Sequence, residues 1–131
     1  MRVPEPVCFI SHFRVKEGRL EFLRQLAHET ATQLLAEKPR TALFLSFADA
    51  ERGVISFVHA FADAEAMDLH FVGAGDRART SVEHMEPLGW EVYGKPSESA
   101  MGALRQAAAA AGVSLTTEPE YLAGFLRLGS R

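Results

Sequence analysis

Cys8 is the only cysteine in the 131-residue sequence. It can form no intrachain disulfide and supports no thiolate metal cluster, which fits a reducing, cytoplasmic setting. Long apolar runs are missing too. The longest reach about eight residues, against the ~20 a membrane-spanning helix needs. Positive charge is not in surplus. Fourteen Lys and Arg face seventeen Asp and Glu, a formal net charge of -3, so no basic field marks a general nucleic-acid binder. The opening MRVPEPVCFIS has neither the charge nor the apolar length of a secretion signal. No P-loop, HExxH or GxSxG elbow is present. The stretch Gly73-Ala74-Gly75-Asp76-Arg77-Ala78 imitates a dinucleotide glycine loop, but a helical pattern precedes it where that loop needs a strand.

What is there reads as one folded domain over residues 1–131. Hydrophobic residues make up 47% at a mean hydropathy of -0.03, enough for a real core. Residues 6–15 alternate as a strand, with Val7, Phe9, Ser11 and Phe13 on one face and Cys8, Ile10, His12 and Arg14 on the other. After the turn Lys16-Glu17-Gly18, residues 19–37 carry a helical stripe of Leu23, Leu26, Ala27, Thr30 and Leu34, which Pro39 ends. Residues 41–48 and 54–61 flank a short polar turn and predict an antiparallel hairpin.

Both faces of that hairpin are largely apolar. Leu43, Leu45 and Phe47 face one way, Ala42 and Phe44 the other; Ile55, Phe57 and Phe61 oppose Val54, Val58 and Ala60. A sheet with one wet face would alternate apolar with polar, so this one needs cover on both sides. Helices cover one side. The chain lacks elements for the second, and a partner subunit is the economical answer.

Asp63 is the N-cap candidate of a second helix through Phe71. Gly73 and Gly75 interrupt it, helix resumes over about residues 76–86, and residues 88–94 read as a fourth strand. The order β-α-β-β-α-β over residues 6–95 predicts an α+β, ferredoxin-like antiparallel sheet with both helices on one face. Residues 96–131 form an extension. Ser97 caps a third helix whose inner stripe is Met101, Leu104, Ala108 and Ala111, Gly112 closes it, and short extended segments follow over 113–117 and 121–128.

The stretches FRVKEGRLEFL and FVHAFADAEAMDLH resemble the antibiotic-biosynthesis-monooxygenase-like group of dimeric α+β barrels. In the second stretch Phe61 matches a frequent aromatic, Ala66 and Met67 an apolar pair, and His70 a common histidine. The resemblance implies two subunits pressing their sheets face to face, with a pocket in each between sheet and helices. Some members oxidise polycyclic phenols with molecular oxygen and no cofactor; others degrade haem. The sequence departs from both. It contains no asparagine, which those active sites use. Its only tryptophan, Trp90, lies on the fourth strand instead of the second helix. His59 stands where the family often has glutamate.

Two histidines carry the candidate chemistry. His70 falls on the inward stripe with Ala66 and Met67, and an imidazole suits orienting or deprotonating a phenol near neutral pH. The competing account is a structural histidine tying helix to sheet. His59 shares a strand face with Ile55, Phe57 and Phe61, so it lines either the pocket or the subunit seam. His12 is a third pocket candidate. Phe44, Phe57, Phe61, Met67, Phe71, Trp90 and Tyr93 can line a cavity for a flat hydrophobic ligand, or simply pack as core. Arg77 and Arg79 suit either an anionic ligand or a solvated face. His28 and His84, the latter in a helical context, read as surface or rim groups; His59, His70 and His84 lack the i, i+3 or i, i+4 spacing of a helical metal site, which leaves only a site assembled in three dimensions.

The reading is a cytoplasmic homodimer, bound to neither membrane nor nucleic acid. It acts, without metal or cofactor, as a monooxygenase-like protein on a small aromatic or polyketide-like compound. The alternatives are a non-catalytic binding or accessory dimer, or a cyclase or isomerase using the same pocket.

Overall fold

A computed structural model describes residues 5–127, apart from the side chains of residues 77 and 78. Nine elements follow one another: β1 (Val7–Val15), α1 (Leu20–Glu37), β2 (Thr41–Asp49), β3 (Val54–Phe61), α2 (Ala64–Phe71), α3 (Ala74–Ser81), β4 (Met85–Tyr93), α4 (Glu98–Ala111) and β5 (Ser114–Glu118). They build one five-stranded sheet in the order β2-β3-β1-β4-β5. The first four strands pair antiparallel in the ferredoxin-like arrangement. The extension makes the sheet mixed, because β5 runs parallel to β4 after the α4 crossover.

The cross-strand register sorts side chains into two faces. Phe44, His59, Phe9 and Val92 lie in one row, and Phe57, Ser11 and Trp90 in the next, all toward the helices. Leu45, Val58, Ile10 and Glu91 form a row on the opposite face, beside Phe47, Ser56, His12 and Gly89. The core lies on the helix side. α2 and α4 pack Met67 and Leu104 against Val7, Phe9, Phe61 and Val92. α1 packs Leu23 against Ile55 and Met85. Phe61 and Met67 are fully buried, each contributing about 1.5–3 kcal/mol by leaving water. No helix among the described residues covers the other face, where Leu45 is 43% and Phe47 60% exposed.

Local chemistry sets the element ends. Asp63 caps α2, its carboxylate accepting from the Ala66 amide at 2.8 Å. Ser97 caps α4 in the same way through Ala100 at 3.1 Å, and Gly112 ends that helix in the left-handed region. The expected interruption after α2 falls at Gly73, which has φ +81; Gly75 sits inside α3. Helix then stops at Ser81, not at residue 86, and β4 begins at Met85, ahead of residue 88. His84 thus lies in the turn, its ring 4.1 Å from that of Phe22 and tilted by 35°, and not in a helix. Pro87 and Gly89 made the start of β4 look like loop. Both are tolerated because the register slips beside them, between His12 and Phe13, and pairing with β5 starts only at Gly89. Residues 121–127 carry no strand pairing, in contrast to the extended segment expected there.

Candidate functional site

Packing of α2 against β3 brings the two leading histidines together. His70 is buried on the α2 face that also carries Ala66 and Met67. His59 is buried on β3 and points toward the helices, away from the uncovered face. Their ring centroids lie 4.9 Å apart at 74°. Phe44 meets the His59 ring edge-on at 5.1 Å, and Phe61 lies 5.2 Å from the His70 ring. Thr41, at the start of β2, hydrogen-bonds Nδ1 of His70 at 2.7 Å through its hydroxyl. That contact fixes the imidazole ring orientation and leaves Nε2 for other partners. Thr41 was not singled out in the sequence, because its distance from His70 in the chain hides the contact.

His70 forms part of the wall of a cavity of about 170 Å³ between sheet and helices. Phe44 and Phe57 supply its floor, Leu23, Leu26 and Thr30 the α1 side, and Phe71 and Ala74 the side toward α2 and α3. A second hollow of about 250 Å³ lies on the other side of His70, bounded by Pro39, Arg40, Thr41 and Leu69. The Lys38 ammonium spans the mouth of that hollow, donating to the Leu69 and Val72 carbonyls at 3.0 and 2.9 Å.

Other predicted lining residues sit elsewhere. Phe61 and Met67 are packed into the solid core, with Trp90 half-buried against it. His59 lies behind Phe44, edge-on to its ring, and is not among the residues that line the cavity. Tyr93 and His12 project from the opposite, helix-free face. Arg79 pairs with Asp76 on the surface at 3.0 Å, and the side chain of Arg77 lies outside the described residues. Among the described residues no three His, Cys, Asp or Glu side chains gather as a metal site.

The helix-free face holds a polar chain that sequence reading missed. The Ser56 hydroxyl lies 2.7 Å from Nδ1 of His12, and Nε2 of His12 lies 2.5 Å from the Glu91 carboxylate. The Tyr93 hydroxyl donates to the other Glu91 oxygen at 2.5 Å. Hydrogen bonds from Tyr93 and then His12 hold the Glu91 carboxyl below its usual range. In return, Glu91 pushes the Tyr93 phenol up to about 12. Only knowledge of the β3-β1-β4 register puts these four residues on one face. The same face carries Cys8, whose thiol is raised by partial burial.

No family model matches the chain, and no curated protein sequence matches it. Solved structures do. MupZ from Pseudomonas fluorescens superposes with a TM-score of 0.66 at 12% identity, over 92% of this chain and 95% of that one. A candidate antibiotic biosynthesis monooxygenase from Caulobacter crescentus superposes at 0.59, with 14% identity over 69% and 89% of the two chains. One from Deinococcus radiodurans gives 0.58, with 18% identity over 70% and 93%. The MupZ match necessarily reaches well into residues 96–131, whereas the other two span about the length of the core. The fold of this chain is therefore that of the antibiotic-biosynthesis-monooxygenase-like proteins.

Proposed function

We propose that the chain works as a homodimer whose subunits each enclose one small aromatic or polyketide-like molecule between sheet and helices, and that it oxidises this molecule with dioxygen. The observation carrying the reading is the juxtaposition of His70, held by Thr41, with an aromatic-walled cavity of about 170 Å³. An apolar cavity of about 150 Å³ is large enough to bind benzene, so this one suits a single ring better than a fused system. His70 takes the phenolic proton, and His59 stands behind it as a second imidazole. The electron-rich phenolate gives an electron to dioxygen, and the resulting radical and superoxide recombine as a hydroperoxide. Loss of water leaves a quinone, so one substrate and one dioxygen give one quinone and one water. The surrounding phenyl rings exclude bulk water from these charged steps. The exposed apolar strip around Leu45 and Phe47 supports the dimer, since a second copy would remove it from water.

Proton transfer without oxygen is the second reading, a cyclase or isomerase. The absence of asparagine favours it, because the oxygen-using resemblance leans on that residue. Oxygen-electrode measurements with monocyclic electron-rich phenols separate the two. Uptake that falls at least a hundredfold in His70→Gln supports the oxygenase. Uptake unchanged in His70→Gln and His59→Gln removes both histidines from the mechanism. Substrate turnover without uptake selects the isomerase class.

A further inference from the structure

His70 stands between two chambers of different character. Among the described residues it alone lines both the aromatic-walled cavity of about 170 Å³ and the outer hollow of about 250 Å³. The outer hollow counts Glu37, Lys38, Arg40 and Thr41 among its walls. It has room for several water molecules at about 30 Å³ each. The strand register adds a second observation. Simple alternation along β2 would put Thr41 on the helix-free face with Leu43 and Leu45. The β2–β3 register slips between Thr41 and Leu43, so Leu43 lies opposite Ala60 while Thr41 lies opposite Phe61. The extra residue turns Thr41 to the helix side, where its hydroxyl lies 2.7 Å from Nδ1 of His70. A backbone irregularity thus aims a hydroxyl at the buried imidazole from the wall of the outer hollow.

We propose that Thr41 passes protons between His70 and water in the outer hollow. The proposal rests on the reading of His70 as the base and names the route its proton takes. Protonating a buried imidazole outright sets a cation among phenyl rings, which a poorly polar surrounding disfavours. The Thr41 contact supplies a neutral alternative. Nε2 of His70 takes the phenolic proton, the Nδ1 proton moves to the Thr41 oxygen, and the original Thr41 hydroxyl proton leaves to a water in the hollow, forming hydronium. The imidazole is neutral before and after, and the positive charge is released on the outer side. When the peroxide anion forms, Nε2 returns its proton to it and the other two transfers reverse. No proton is gained or lost over a turnover.

The test follows the His70 ring proton by NMR in the nitrogen-15-labelled full chain without any substrate, with the signal assigned by its loss in His70→Gln. The ring proton should sit on Nδ1 at neutral pH. It should exchange with water faster than the His70 and Phe71 amides, whose exchange needs α2 to open. Thr41→Val should slow this exchange at least tenfold, and Thr41→Ser should restore it. Leu69→Trp, at a position 44% exposed on the wall of the hollow, should slow it as well. Ala74→Phe, which fills the inner cavity, should leave it unchanged. A ring proton on Nε2, a wild-type rate in Thr41→Val or in Leu69→Trp, or slowing in Ala74→Phe overturns the proposal. These readouts judge the proton route alone. Oxygen uptake in His70→Gln judges the oxygenase reading, so the two can fail separately.

Discussion

Filling the cavity is the sharpest perturbation of the proposed site. Ala74 begins α3 and lines the cavity opposite Phe44 and Phe57. A phenyl ring brought in by Ala74→Phe would occupy most of about 170 Å³. A monocyclic phenol that buries about 150–200 Å² of apolar surface gains roughly 4–5 kcal/mol at 25 cal/mol per Å². That corresponds to a dissociation constant between about 0.2 and 1 mM. In Ala74→Phe the ring takes the ligand's place, and affinity should fall at least tenfold. The assay is an NMR titration of the phenylalanine ring resonances with the phenol. Shifts should concentrate at Phe44, Phe57 and Phe71 and saturate in the wild type only. Equal affinity in Ala74→Phe, or shifts confined to the helix-free face, would refute the placement of the ligand.

Further outcomes follow from other contacts. Tyr93 is held protonated by Glu91, so its stabilising contribution is complete below the unfolded value of 10.0 and is lost as pH rises through about 12. Urea midpoints should therefore decline between pH 10 and 12 in the wild type, and less steeply in Tyr93→Phe. Glu91 has the opposite sign: its depressed carboxyl stabilises above the unfolded value of 4.5, and that support is lost as pH falls through the lower folded value. Asp63→Ala removes the α2 cap and should cost about 1 kcal/mol in urea unfolding. Gly94→Ala should cost more, above about 2 kcal/mol. Its φ is +98, and a Cβ there would lie 2.6 Å from the Pro6 carbonyl oxygen.

Much of this architecture was legible from periodicity. The alternation in β1 separated Phe9 from Ile10 correctly, and the spacing of Ala66, Met67 and His70 aimed all three inward. Asp63, Ser97 and Gly112 marked helix ends because caps depend on local chemistry. The reading ran short where tertiary register decides. Pro87 and Gly89 hid the start of β4, since their tolerance depends on where β5 begins to pair. Phe61, Met67 and Trp90 looked like lining because an apolar residue in solid core and one at a cavity wall have the same pattern. The Thr41–His70 and Ser56–His12 contacts span 29 and 44 residues, and no local signal joins them.

The two faces of the sheet pose opposite physical problems. On the helix side, His59 and His70 sit among rings, and a buried imidazole there needs the support that Thr41 gives His70. On the uncovered side the charged relay is surrounded by Ile10, Val58 and Leu45. Stacking a second copy on that face would strip water from Glu91, a cost of several kcal/mol for a bare carboxylate. Two short hydrogen bonds already serve its two oxygens, so most of that cost is met before any second copy arrives. The relay thus reconciles a charge with a face that is otherwise apolar.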